Sequence, residues 1–203
     1  MITTEKFMVN SDTERIAAAR YATENFARQV ELDRENTLRL ELLVEETLGM
    51  VKVMLEEFSG QIWFVDDGGV CEIHFEATAN MDAGRAEGLI SVSSTGKNAA
   101  KGFMAKLGGL IPGALHGTGK TMKYGAVHKP EAVASAPDMT PIWTLQNYRS
   151  DLEKARGESD EAEKAREEME KSIVAKLADD IVVGVRGNNI DMVIKKAFLM
   201  RFS

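Results

Sequence analysis

The chain has 203 residues, a formal net charge of −7, 44% hydrophobic and 28% charged residues, and a single cysteine. Such a composition builds an ordinary globular core. It excludes an internal disulfide and argues against general binding to nucleic acid or an anionic membrane, which need a basic field. No apolar run approaches the ~18 residues of a membrane span, and no basic start with an apolar run marks a secretion signal. A reducing, cytoplasmic setting is therefore expected.

In chain order, residues 1–6 are polar, and Lys6 to Asn10 predicts a short strand. Ser11 followed by Glu14 predicts a capping box and a helix running to about Val30, with Ile16, Ala19, Phe26, Ala27 and Val30 near one face. Leu32 to Asn36 reads as a polar turn. A more apolar helix follows, whose stripe of Leu40, Leu43, Val44, Thr47, Leu48, Val51, Met54, Leu55 and Phe58 is too wide for one wet side, so it is the central helix against a sheet, ended at Ser59-Gly60. Ile62 to Val65 and Val70 to Ala77 predict a hairpin turned at Asp66-Asp67-Gly68-Gly69. Alternation puts Cys71, Ile73, Phe75 and Ala77 inward, with Cys71 a buried filler, and leaves His74 a neutral surface histidine on the polar side.

Residues 81–130 hold most of the glycines and predict a long functional loop with weak helices at 82–92 and 98–107. Pro130 to Pro141 reads as an extended connector. Ser150 to Asp180 predicts a charged helix broken at Gly157, whose last turns dock through Met169, Ile173 and Leu177. Ile181 to Val185 and Ile190 to Phe198 predict a second hairpin around Gly187-Asn188. The expected fold is an α/β (α+β) two-layer sandwich, a mixed but mostly antiparallel sheet covered on one face by helices, in one domain over 1–203 with a lid-like loop and insertion at about 82–160.

Three words in that order resemble the GHKL, or histidine-kinase-like ATPase, family, and most closely its anti-sigma-factor serine kinases. They are Phe7-Met8-Val9 with the helix carrying Ala19-Arg20; Leu42 to Val51, which looks like the family's N box; and Ile173 to Ile181 with the hairpin closing on Ile194-Lys195-Lys196. The resemblance implies a Bergerat-like fold, ATP with Mg²⁺, a homodimer, and a sigma-factor or anti-anti-sigma-like protein partner. Residue by residue, Glu46 matches the family's N-box glutamate, a catalytic base. The magnesium-binding asparagine is replaced by Met50, whose thioether is a poor ligand for a hard cation. The places of the adenine-binding Asp-x-Gly-x-Gly word fall on Ala77, Ala79 and Met81, while a shifted register promotes Asp82. The same Glu45 and Glu46 also read as the wet edge of a core helix.

For the lid, Ser94 to Asn98, with Gly96 and Lys97, and Gly117-Thr118-Gly119-Lys120-Thr121 both offer backbone N–H groups and a cation to an anion. Ala114 to Thr121 also fits a relaxed Walker A pattern, but it lacks a preceding buried strand and a Walker B strand. His74, His116 and His128 show no metal-ligand spacing, and no Gly-x-Ser-x-Gly elbow occurs. Three functions follow from these readings. The first is a bacterial regulatory protein that acts by protein binding with a degenerate nucleotide site. The second is an active Mg-ATP-dependent protein serine kinase. The third is an anion or small-ligand sensor built on the loop from Gly96 to Thr121.

Overall fold

The computed structural model describes residues 1–55, 57–79, 141–186 and 189–198. In chain order these form β1 (Ile2–Thr3), β2 (Phe7–Asn10), α1 (Thr13–Gln29), α2 (Arg34–Leu55), β3 (Phe58–Asp66), β4 (Val70–Ala79), β5 (Pro141–Thr144), α3 (Leu145–Lys154), α4 (Asp160–Lys171), α5 (Ile173–Leu177), β6 (Asp180–Arg186) and β7 (Asn189–Ala197). The strands make one sheet in the order β1-β3-β4-β7-β6-β5, with β2 beside β1 on the same edge of β3. Every described pairing is antiparallel. The expected α/β sandwich, open-sheeted and helix-covered, is the observed one.

The registers fix the two faces, because side chains alternate along a strand. β3 and β4 pair from Phe58↔Ala79 to Asp66↔Cys71, and β4 and β7 from Val70↔Ala197 to Thr78↔Asn189. One face therefore presents Ile62, Phe64, Ile73, Phe75, Ile190, Met192 and Ile194. These join Ala19, Phe26, Leu40, Leu43, Leu48 and Val51 of α1 and α2 in one continuous core. Phe26 stacks on Phe64 at 5.2 Å between ring centroids, and Phe58 meets Phe75 edge-on at 5.7 Å. Arg20 of α1 pairs with the buried carboxylate of Glu41 on α2 at 3.2 Å, which sets the two helices side by side. The core continues through Trp143 of β5, Tyr148 and Leu152 of α3, and Val174 and Ala175 of α5.

The tight turn after β3 has Gly68 and Gly69 at φ 69° and 104°, a left-handed conformation that side chains resist. Gly157, at φ 75°, separates α3 from α4 as expected. Thr144, Ser159 and Ser172 cap the next three helices by accepting from the backbone N–H of Asn147, Ala162 and Ala175. Arg149 donates from Nη1 to the Asp179 carbonyl at 2.9 Å and from Nη2 to the carbonyls of Ala178 (3.2 Å) and Ala175. The open end of α5 is thereby satisfied by a side chain from α3. The last residue of β4, Ala79, and the first of β5, Pro141, lie toward the same end of the sheet, with β7 and β6 between their strands.

Several local expectations are corrected. β1 occupies part of the segment read only as polar, with Ile2 opposite Asp66. The capping box at Ser11 does not form. Asn10 Oδ1 instead accepts from the Asp12 N–H at 2.9 Å, and α1 starts one residue later behind Asp12, which makes no side-chain cap. Phe58 does not extend the stripe of α2 and Ser59-Gly60 does not end that helix; α2 stops at Leu55 and all three residues lie inside β3. The long charged helix is three helices, and Ile173 is exposed where Val174 is buried, because the capping residue Ser172 restarts the helix and turns its face. Pro141 opens a strand instead of closing a connector. The helices expected over 82–92 and 98–107 and the rest of that connector lie outside the described residues.

Gly60 shows how close the strands come. A Cβ there would overlap the Glu76 carbonyl oxygen and sit 3.0 Å from the Ala77 Cβ. Gly60→Ala is expected to destabilise the fold by about 1–3 kcal/mol, read as a lower urea midpoint with an unchanged m-value.

Candidate functional site

α2 carries the expected catalytic residue. Glu46 is half-buried and has no ion-pair or hydrogen-bond partner among the described residues, and Glu45 is exposed. One helical turn on, Met50 is only 4% exposed and belongs to the hydrophobic core. That place is filled by packing, and a cation bound there would be desolvated against a thioether. Ala77 is likewise inside the structure. It sits within the β4 ladder between Gly60 of β3 and Ile190 of β7, with its methyl in the same core. No group at Ala77 can accept from an adenine amine. The described residues at these two places do not fit Mg-ATP. Asp82, Gly96, Lys97, Gly117, Thr118, Gly119, Lys120 and Thr121 lie outside the described residues, as do Met81, His116 and His128.

The opposite face of the sheet holds an arrangement that the sequence did not disclose. His74, expected on the surface, is 2% exposed. Its register partner Trp63 lies flat against it, with ring centroids 4.9 Å apart and planes 18° from parallel. Nε2 of His74 is 2.9 Å from Glu72 Oε2; a carboxylate only accepts, so Nε2 carries the proton and donates. Glu72 Oε1 pairs with Lys195 Nζ at 3.0 Å, across from it on β7. Lys6 Nζ stands 4.0 Å above the Trp63 ring and pairs with Glu76 at 3.0 Å. Val65, Val182 and Val193 share this face by register and are buried outside the helix-facing core. The expectation for His74 fails because it assumed a wet outer face. The pairing of Trp63 with His74 follows from the Asp66–Gly69 turn, so the turn was the signal that could have found it.

Cys71 is on the helix-facing side, away from His74, and donates its thiol to Asp66 Oδ1 at 3.7 Å. Burial first, then the Asp66 charge and this hydrogen bond, push the thiol up to about 12 from an ordinary 9.0. It is neutral and inert at physiological pH, and no His–Cys nucleophile pair forms. Burial and the Glu168 charge likewise raise the Tyr148 phenol to about 12. No group of three or more His, Cys, Asp or Glu side chains among the described residues is arranged to hold a metal ion. None of the described helices is long and apolar enough to cross a membrane.

No family model, curated protein or solved structure matches the chain.

Met50→Asn, which writes the resembled family's magnesium ligand into the core, is expected to cost about 2 kcal/mol of stability. It should create no magnesium-dependent nucleotide binding, as read by calorimetric titration. Alkaline pH gives a second check. The unfolded thiol and phenol lose their protons from about pH 9 upward while the folded groups keep theirs to about 12. Stability from these groups is complete below pH 9 and is lost as pH rises through that window. The urea midpoint should fall between pH 8.5 and pH 10.5 (roughly the range these two groups span), and less so in Cys71→Ala.

Proposed function

We propose that the chain is a bacterial regulatory protein of the histidine-kinase-like ATPase kind, related to anti-sigma-factor kinases, which acts in the cytoplasm by binding a protein partner and not by phosphoryl transfer. The observation that carries this reading is the placement of Met50 and Ala77. Both positions that should contact magnesium and adenine are packed into the hydrophobic core. A site still selected for Mg-ATP would keep oxygen ligands there. The partner is a sigma-factor or anti-anti-sigma-like protein by resemblance.

A surface suited to such a partner supports the reading. Tyr21 on α1 and Leu38 and Leu42 on α2 are exposed, and the Arg20–Glu41 pair joins the two helices beside them. Leu38 and Leu42 are four residues apart and share a helix face. Aromatic side chains are enriched in protein interfaces, and Tyr21 is such a side chain.

Thermal melting in the presence of ATP or ADP, with and without Mg²⁺, tests the reading. No change in melting temperature is expected at millimolar nucleotide, since a ligand stabilises only in proportion to its occupancy of the folded state. A saturable, magnesium-dependent rise would replace this reading by that of an active serine kinase with Glu46 as base.

A further inference from the structure

Residues 1–8 lie along the sheet without a buried side chain. All but the half-buried Thr4 are exposed, and the first buried residue is Val9. Ile2 of β1 turns its apolar side chain to solvent and not to the core. Burial of apolar surface ties most segments to a fold, so polar contacts must supply most of the hold on residues 1–6. The strand beneath them is anchored differently. β3 pairs with β4 from Phe58 to Asp66, and its Ile62 and Phe64 are fully buried in the core.

The polar contacts are specific. β1 pairs over two residues, Ile2↔Asp66 and Thr3↔Val65. Thr4 then meets Phe64 twice: its N–H donates to the Phe64 carbonyl, and its Oγ1 accepts from the Phe64 N–H, both at 3.0 Å. Lys6 closes the segment down. Its Nζ stands 4.0 Å above the Trp63 ring and 3.0 Å from Glu76 Oε2. Trp63 belongs to β3 and Glu76 to β4, so this one side chain reaches two strands. Both partners in the ion pair are wet, with side chains 47% and 46% exposed. Contacts of this kind are modest in strength and are screened by salt.

We propose that residues 1–6 are a strap that opens as a unit from the edge of β3, with Lys6 as its electrostatic latch. Segments with few buried apolar contacts open locally, at less cost than unfolding the whole. The strap turns about the start of β2, because Val9 is buried and paired with Gly60. Opening releases the N–H and C=O of Phe64 from Thr4 and lifts the cation off Trp63, whose ring lies flat against the buried His74. Ionic strength, which weakens the latch, thereby sets how often this edge and the Trp63–His74 stack meet solvent. The inference rests on the strap's own contacts and is independent of the nucleotide reading.

Amide hydrogen exchange of the full chain, followed residue by residue by NMR, tests it. The Thr4 and Phe64 N–H groups are bonded each to the other's residue, so they should share one protection factor, well below that of Phe75 in β4. Lys6→Ala touches neither bond. It should still lower the shared protection by about fivefold, the weight of an exposed ion pair with an exposed cation–π contact. Glu76→Gln keeps the cation–π contact and should lower it less. Added salt should lower it more in the wild type than in Lys6→Ala. Lys6 and Glu76 are both exposed, so neither substitution disturbs the core. Thr4 and Phe64 amides as protected as Phe75, or unequal to each other, overturn the proposal. So does a shared protection that Lys6→Ala leaves unchanged.

Discussion

The whole arrangement hangs on β4. It pairs with β3 on one side and β7 on the other over nearly its full length, without a bulge. Unbroken pairing on both sides leaves no freedom about which side chains face the helices, since a slip of one residue would turn Ile73 and Phe75 out and Glu72 and His74 in. Because β7 carries the same alternation onward to β6, the core contacts of α1, α2, α3 and α5 are all fixed relative to this one strand. Gly60 belongs to the same constraint: the ladder is tight enough at Ala77 to exclude even a methyl group from the opposing position.

How much of this was legible depended on whether the information was local. The Asp66–Gly69 turn, the apolar stripe of α2 and the break at Gly157 are written in adjacent residues, and each is found where expected. The boundary of α2 was misplaced because Ser59-Gly60 has the composition of a stop signal. Gly60 is there instead because the neighbouring strand leaves no room for a side chain. His74 was misread for a similar reason. Alternation distinguishes two faces but does not say that the second is wet, and the flat contact with Trp63 comes from a strand eleven residues away in sequence. β1 and β5 have two and four residues, too short for any periodicity to mark. Of the site residues, Glu46 and its half-exposed setting were legible from helical spacing. The burial of Met50 in the core was not, because a methionine one turn from a glutamate reads equally well as the rim of a pocket.

The two faces of the sheet divide the chemistry. The helix-facing side is apolar and contains an inert thiol. The other side links Lys6, Trp63, His74, Glu72 and Lys195 across neighbouring strands through one cation–π contact, one stacked pair and two contacts to a shared carboxylate. The buried member is His74, and removing Glu72 would leave its ring N–H without its partner away from water.

The positions of Ala79 and Pro141 have one more consequence. The strands they belong to are three places apart in the sheet, a separation of roughly 14 Å at the usual spacing between strands. Both ends point toward the same edge of the scaffold, and each is held by its own ladder. The ladders hold the two ends at their separation. Joining two such fixed points depends only weakly on how many residues do it, as closure entropy grows with the logarithm of length. Relatives of this chain can therefore differ greatly in length at this junction while keeping the same scaffold. Length variation concentrated between β4 and β5, with the strands on either side constant, would be the evolutionary signature of that architecture.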